Sequence, residues 1–150
     1  MKSTTRTVRV RGATRLDVVD LTDELRRAIK DSGVTDGCAV AFCAHTTVVL
    51  LINELEDGAM EDLRGRLDAV VPGDCYYAHD DLDVRTQNLM EEEPERPNGR
   101  SHVTAMIVGG TSHAIPVAEG EPMFGRWQRL LLLELDEPKD RDVVFHVFGG

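Results

Sequence analysis

Cysteine is scarce and badly placed for cross-linking. Cys38, Cys43 and Cys75 are odd in number and form no CxxC pair, which argues against a structural disulfide framework and against a zinc ribbon. Two of them lie in an apolar strand-like run, where a free thiol packs as a small hydrophobe. Long hydrophobic runs are missing as well. No stretch is long enough to span a bilayer, and the opening MKSTTRTVRVRG lacks the apolar core of a secretory signal, so a cytoplasmic protein without a membrane partner is expected. Cations are the minority charge, 17 Lys and Arg against 27 Asp and Glu, for a net charge of -10. Such a field repels phosphate backbones, so general nucleic-acid and anionic-membrane binding are excluded, and any phosphate site must be local.

What is present suits one α+β domain spanning residues 1–150, with 41% hydrophobic residues to build one core. Thr5 to Arg11 alternates polar residues with Val8 and Val10, an edge strand with one solvated face. Leu21, Leu25, Ala28 and Ile29 recur at helical spacing, with Asp20 or Thr22 to cap the start and Gly33 to end the helix. Cys38 to Ala44 and Val48 to Ile52 are continuous apolar runs that read as strands buried on both faces. Ala59, Leu63, Leu67 and Val70 predict a second helix, stopped by Pro72. Residues 73–101 turn acidic and proline-rich, the composition of a long, partly mobile loop. Apolar runs at 103–108, 114–118 and 130–135 follow, then a last strand from Val143 to Phe148. No internal repeat is visible, and strands interleaved with two or three helices predict a mostly antiparallel sheet.

The chemistry concentrates at the ends of these elements. In HTTVVLLINE, His45 stands at one end of an apolar run, with Asn53 and Glu54 at the other. Of the five histidines, His146 alternates within the terminal strand and His113 follows a glycine turn, both structural positions. His45, His79 and His102 each sit where an element meets a loop beside carboxylates or amides. Three imidazoles from separate segments suit an open metal site, although ordinary surface or capping roles account for the same spacing. Glu56 and Glu61 fall near the start of a helix, where the dipole alone favours them. Trp127 reads as a core or interface anchor.

Together HTTVVLLINE with Asp57 and Asp62, YYAH, Asn98 and His102 in NGRSH, Gly109, Ile115-Pro116, Gly120 and FGRWQ resemble the YjbQ-like family over about residues 40 to 149. The resemblance implies a barrel-like β-sheet flanked by helices, a homotrimer with sites near subunit boundaries, and a weak secondary thiamine-phosphate synthase activity. That reaction joins an aminopyrimidine pyrophosphate to a thiazole phosphate, so a small phosphorylated molecule is the implied partner. By position, the family's histidines match His45, His79 and His102, and its polar partners match Asn53, Glu54, Asp57 and Asn98. Trp127 and Gln128 match its tryptophan-glutamine pair.

On this footing the three histidines hold a divalent ion, zinc in the first instance, with Asn98 orienting one of them and Glu54 as general base. Arg100 or Arg126 contacts phosphate oxygens, and Asn53, Asp57 and Gln128 complete the substrate contacts. A metal-assisted hydrolase and a non-catalytic trimeric binding protein use the same residues. The sequence departs from the family pattern at Arg126, at Asp136-Glu137-Pro138-Lys139 and in the acidic 80–97 loop, which leaves the substrate open. A straight strand would also hold His45 and Glu54 roughly 25 Å apart, so either the chain turns near Thr46-Thr47 or residues 53–54 serve another subunit's site.

Overall fold

A computed structural model describes all residues from Met1 to Gly150. The strands are β1 (Lys2–Val10), β2 (Val18–Asp20), β3 (Gly37–Cys43), β4 (Val48–Asn53), β5 (Ser112–Ala118), β6 (Glu121–Pro122), β7 (Arg129–Glu134) and β8 (Arg141–Gly149). The helices are α1 (Thr22–Ser32), α2 (Asp57–Val70) and α3 (Gly99–Val108), with a 3₁₀ turn at Ala78–Asp80. Five strands pair in the order β1-β8-β3-β5-β6 and three in the order β2-β7-β4, every neighbour antiparallel. The chain is therefore α+β, built on a curled, half-barrel antiparallel sheet.

The α1 helix forms for the reasons its sequence offers. Asp20 Oδ1 accepts the Thr22 N–H at 2.9 Å, while Leu25, Ala28 and Ile29 bury one stripe. Gly33 ends the helix at φ 66°, a left-handed conformation that glycine adopts at little cost. That stripe, the inner face of β3, and Leu130, Leu132 and Phe145 form the main core. A smaller cluster of Leu16, Val49, Leu67, Leu133 and Leu135 lies against α2 and α3. Leu130 to Glu134 are consequently buried on both faces of β7.

Two sequence expectations change. The β3 strand is buried on one face only: Ala39, Ala41 and Cys43 point into the core, while Phe42 is 41% exposed. Its short run of small apolar residues resembles a two-sided strand until its neighbours are known. The apolar run at 103–108 is helical, because Ala105 and Val108 dock on the smaller core and leave Met106 and Ile107 outside. The expected edge position of β1 is observed, in register with β8 from Lys2 opposite Gly149 to Val10 opposite Arg141.

Candidate functional site

Two elements bring His79 and His102 together. His79 lies in the 3₁₀ turn and His102 in the first turn of α3; their ring centroids are 4.4 Å apart and tilted by 37°. Asp80 fixes the two elements to each other, its Oδ1 accepting the Asn98 N–H at 2.8 Å and the Gly99 N–H at 2.7 Å. This carboxylate caps the helix start and complements its dipole. Gly99 makes the approach possible. A Cβ there would meet Tyr77 Cβ at 2.8 Å and His79 Cβ at 3.0 Å, too close for any other residue without a shift.

The next layer is the turn after β7. Asp136, 8% exposed, accepts bonds from Asn98 Nδ2 at 3.2 Å, Lys139 Nζ at 2.7 Å and the Glu137 N–H at 2.9 Å. Burial works to raise the Asp136 carboxyl, but these bonds outweigh it and hold the group below its ordinary value. Burial, then the neighbouring His79, lowers the His102 imidazole, which favours its neutral form.

His45 occupies the loop between β3 and β4, and its Nε2 accepts the Asp142 N–H at 3.3 Å. Burial and then the Arg141 charge lower this imidazole too. Leu135 joins the loop to the α3 side, its N–H donating to Thr47 O at 3.2 Å and its carbonyl accepting from Ser101 Oγ at 2.6 Å. Beneath lies a buried ion pair. Arg141 donates from Nε to Glu134 Oε2 at 2.8 Å and from Nη2 to Thr47 Oγ1 at 3.1 Å, while Glu134 Oε1 accepts the Asp136 N–H at 3.0 Å. Glu134 and Arg141 are 0% and 2% exposed, so one pair braces the His45 loop and the Asp136 turn together.

The other candidate residues lie elsewhere. Val48 is in register with Glu134 and Asn53 with Arg129, so β4 holds Asn53 and Glu54 at the far end of the small sheet from His45. The chain does turn after β3, yet within one chain the turn does not bring these ends together. Asn53 Oδ1 accepts the Glu54 N–H at 2.8 Å, and Asp57 opens α2. The Arg126 guanidinium stacks 4.9 Å from the centre of the Trp127 ring, and Gln128 Oε1 accepts the Gly125 N–H at 2.8 Å. Trp127 is 63% exposed and is not a core anchor within the chain. Arg100 is committed to Val71 O at 2.7 Å and to Asp68 at 2.6 Å, a clasp between α2 and α3.

The three histidines do not converge on one point. Two imidazoles converge, the third is bonded to a backbone N–H, and no three His, Cys, Asp or Glu side chains are grouped closely enough to hold an ion. The residues of one chain do not fit the ion by themselves. His113 and His146 are structural as expected, bonded to Leu50 O at 2.8 Å and to Thr5 Oγ1 at 2.8 Å.

Asp80, Arg85, Glu134, Asp136, Lys139 and Arg141 were not singled out as site residues in the sequence. For Asp136 and Lys139 a signal existed in the acidic Asp-Glu-Pro-Lys turn. Glu134 gave one as well, being the only charge in a run of leucines.

Known proteins share this architecture. A UPF0047 protein of Archaeoglobus fulgidus is 34% identical over 88% of this chain and 91% of its own, and one of Methanothermobacter thermautotrophicus is 30% identical over 99% and 94%. The crystal structure of a YbjQ-like protein of unknown function from Sulfolobus solfataricus P2 superposes with a TM-score of 0.84 at 27% identity, covering 99% of both chains. That of a hypothetical protein from Aeropyrum pernix K1 gives 0.82 at 28% identity, covering 98% of this chain and 99% of the other. The model of the UPF0047 protein YjbQ-like family matches residues 6–150, and the chain belongs to that family.

Proposed function

We propose that this chain is an enzyme acting on a small phosphorylated molecule at the His79–His102 pair, with thiamine-phosphate synthase chemistry as its reaction. One observation carries the reading: two imidazoles, one held toward its neutral form, meet where α3 starts at Asn98, and the buried Asp136 carboxylate whose charge acts on His102 holds both the Asn98 amide and the Lys139 ammonium group. Few structural needs explain such a convergence, since core packing requires none of these groups.

In the synthase reaction a carbon–oxygen bond to pyrophosphate breaks as the thiazole nitrogen bonds to the pyrimidine methylene carbon. Negative charge grows on the leaving pyrophosphate, and donors placed in advance lower the barrier. Lys139 and the Asn98 amide supply a charge and a dipole, and the His102 imidazole, favoured in its neutral form, donates through its N–H group. Asp136 orients the first two. Asn53, Glu54, Asp57, Arg126 and Gln128 enter this reading only through assembly, as the far end of one chain set against the histidine end of another in a homotrimer. A divalent ion, zinc first, would need ligands from a second chain in the same assembled form, since one chain groups no three that could hold it.

The test is product formation from the aminopyrimidine pyrophosphate and thiazole phosphate by wild type, His102→Ala and Lys139→Ala. Turnover that falls about 10²-fold in both variants, with unchanged folding, supports the reading. Equal turnover in all three, or none in the wild type, overturns it.

A further inference from the structure

The geometry points to a phosphate-binding cavity on the outer side of His79, walled by Arg85, Thr86, Gln87 and Asn88. This inference rests on the proposed reaction and deepens it, since it names where a phosphate or pyrophosphate group of the substrate is held.

Arg100 and Arg126, the cations expected from the sequence to hold phosphate, are engaged in a helix clasp and on the Trp127 ring. The arginine beside the imidazole pair is Arg85, with Nη1 at 3.5 Å from His79 Nδ1. Its guanidinium is held by Gln87 O at 3.2 Å, Asn88 O at 2.8 Å, His79 O at 3.3 Å and Glu95 Oε2 at 3.1 Å. Of its five N–H groups, one on Nη2 is left over. A fixed guanidinium with a spare donor suits a phosphate oxygen better than a mobile one, because its ordering entropy is already lost.

The cavity next to it measures about 460 Å³ and is lined by His79, Arg85, Thr86, Gln87 and Asn88, with Ala78 and Val84. No carboxylate is in its wall. Glu95, the ion-pair partner of Arg85, lines the neighbouring cavities of about 120 and 660 Å³ instead. The larger of these sets four carboxylates, Glu93, Glu95, Glu137 and Asp140, against the three cations of Arg11, Arg96 and Lys139, so acid outnumbers base in its wall. Size therefore favours the 660 Å³ cavity for a ligand, but charge favours the smaller one for an anion.

Donors in the exposed 86–88 segment are free to exchange water for a ligand. The backbone N–H groups of Thr86, Gln87 and Asn88 have no partner within the protein, and neither do the Thr86 hydroxyl and the Gln87 and Asn88 amides. Asn88 has φ 53°, the left-handed step with which backbone turns form anion-binding concavities. Arg85, unpaired amides and a wall free of acid thus face one space in a chain of net charge -10.

The test titrates inorganic pyrophosphate, then inorganic phosphate, into the ¹⁵N-labelled chain and follows backbone amide shifts. Saturable shifts of Thr86, Gln87 and Asn88 are expected, weakened at least tenfold in Asn88→Asp, where the residue keeps its tolerance of positive φ and adds a charge to the wall. Thr86→Asp serves as the second variant should the first disturb the turn. Shifts confined to residues 98–102 and 136–139, with Thr86 to Asn88 silent, overturn this cavity and leave the proposed function standing. Absence of any saturable shift overturns both.

Discussion

The two ends of the β4–β7 ladder, only about 17 Å apart along the strands, differ in almost every respect. At the Val48–Glu134 end, charged groups are buried, paired and shared among three loops. At the Asn53–Arg129 end they are exposed and bonded locally: Asn53 to the next N–H, Gln128 to Gly125, Arg129 to Asp20 at 3.1 Å. Buried, cross-linked polar groups cost desolvation and persist where geometry must be fixed, whereas exposed ones can turn to meet a partner. The first end therefore has the character of a preorganised site, and the second that of a surface.

The sharpest way to break this contrast is to remove one half of the buried pair. Arg141→Met leaves the Glu134 carboxylate unpaired in the core, and a loss of about 3–5 kcal/mol is expected in urea denaturation. The double variant Arg141→Met/Glu134→Leu should recover most of that stability. Recovery without recovery of turnover would show that the pair serves loop geometry.

Next in size is a comparison across chains. His102→Ala and Asn53→Ala should each reduce synthase turnover, by about 10²-fold and about tenfold, if a second chain supplies the far end. Co-refolding the two variants should restore a measurable share, and mixtures that stay as inactive as their parents would remove the shared-site reading.

A smaller effect concerns acid. The Asp136 carboxyl is held below its ordinary value in the fold, so its stabilisation is complete above the unfolded Asp range near pH 4 and is lost as pH falls through the lower folded value. Wild type should lose more stability than Asp136→Asn between pH 5 and pH 2, measured by thermal melts, and equal losses would contradict the assignment.

The smallest effect belongs to the exposed end. Glu56 accepts the Gly58 and Ala59 N–H groups at 2.9 and 2.8 Å and caps α2, so Glu56→Ala should lower the thermal midpoint slightly and leave turnover unchanged, and a midpoint equal to that of wild type would contradict the cap.

Both ends could be named from the chain, and a straight strand would set them roughly 25 Å apart, but whether a turn near Thr46-Thr47 undid that separation could not be read. His45 and Glu54 stand in one decapeptide, and only the register of β4 with β7 shows that they face opposite ends of the small sheet. Conversely, His79 and His102 are 23 positions apart in sequence with their rings in contact, because Gly99 admits the turn and Asp80 caps the helix. Arg85 gave no signal in a loop that reads only as acidic and proline-rich.

The sequence by itself determined the α+β class, α1 with its Gly33 stop, the β1 edge and the family, since periodicity, capping and local motifs are written in neighbouring residues. Tertiary structure alone decided that 103–108 is helical, that β3 is buried on one face, that Arg100 is a clasp, and that Asp136 sits behind Asn98. Each of these depends on what a distant segment buries or bonds, and a chain read residue by residue carries no distances between such segments.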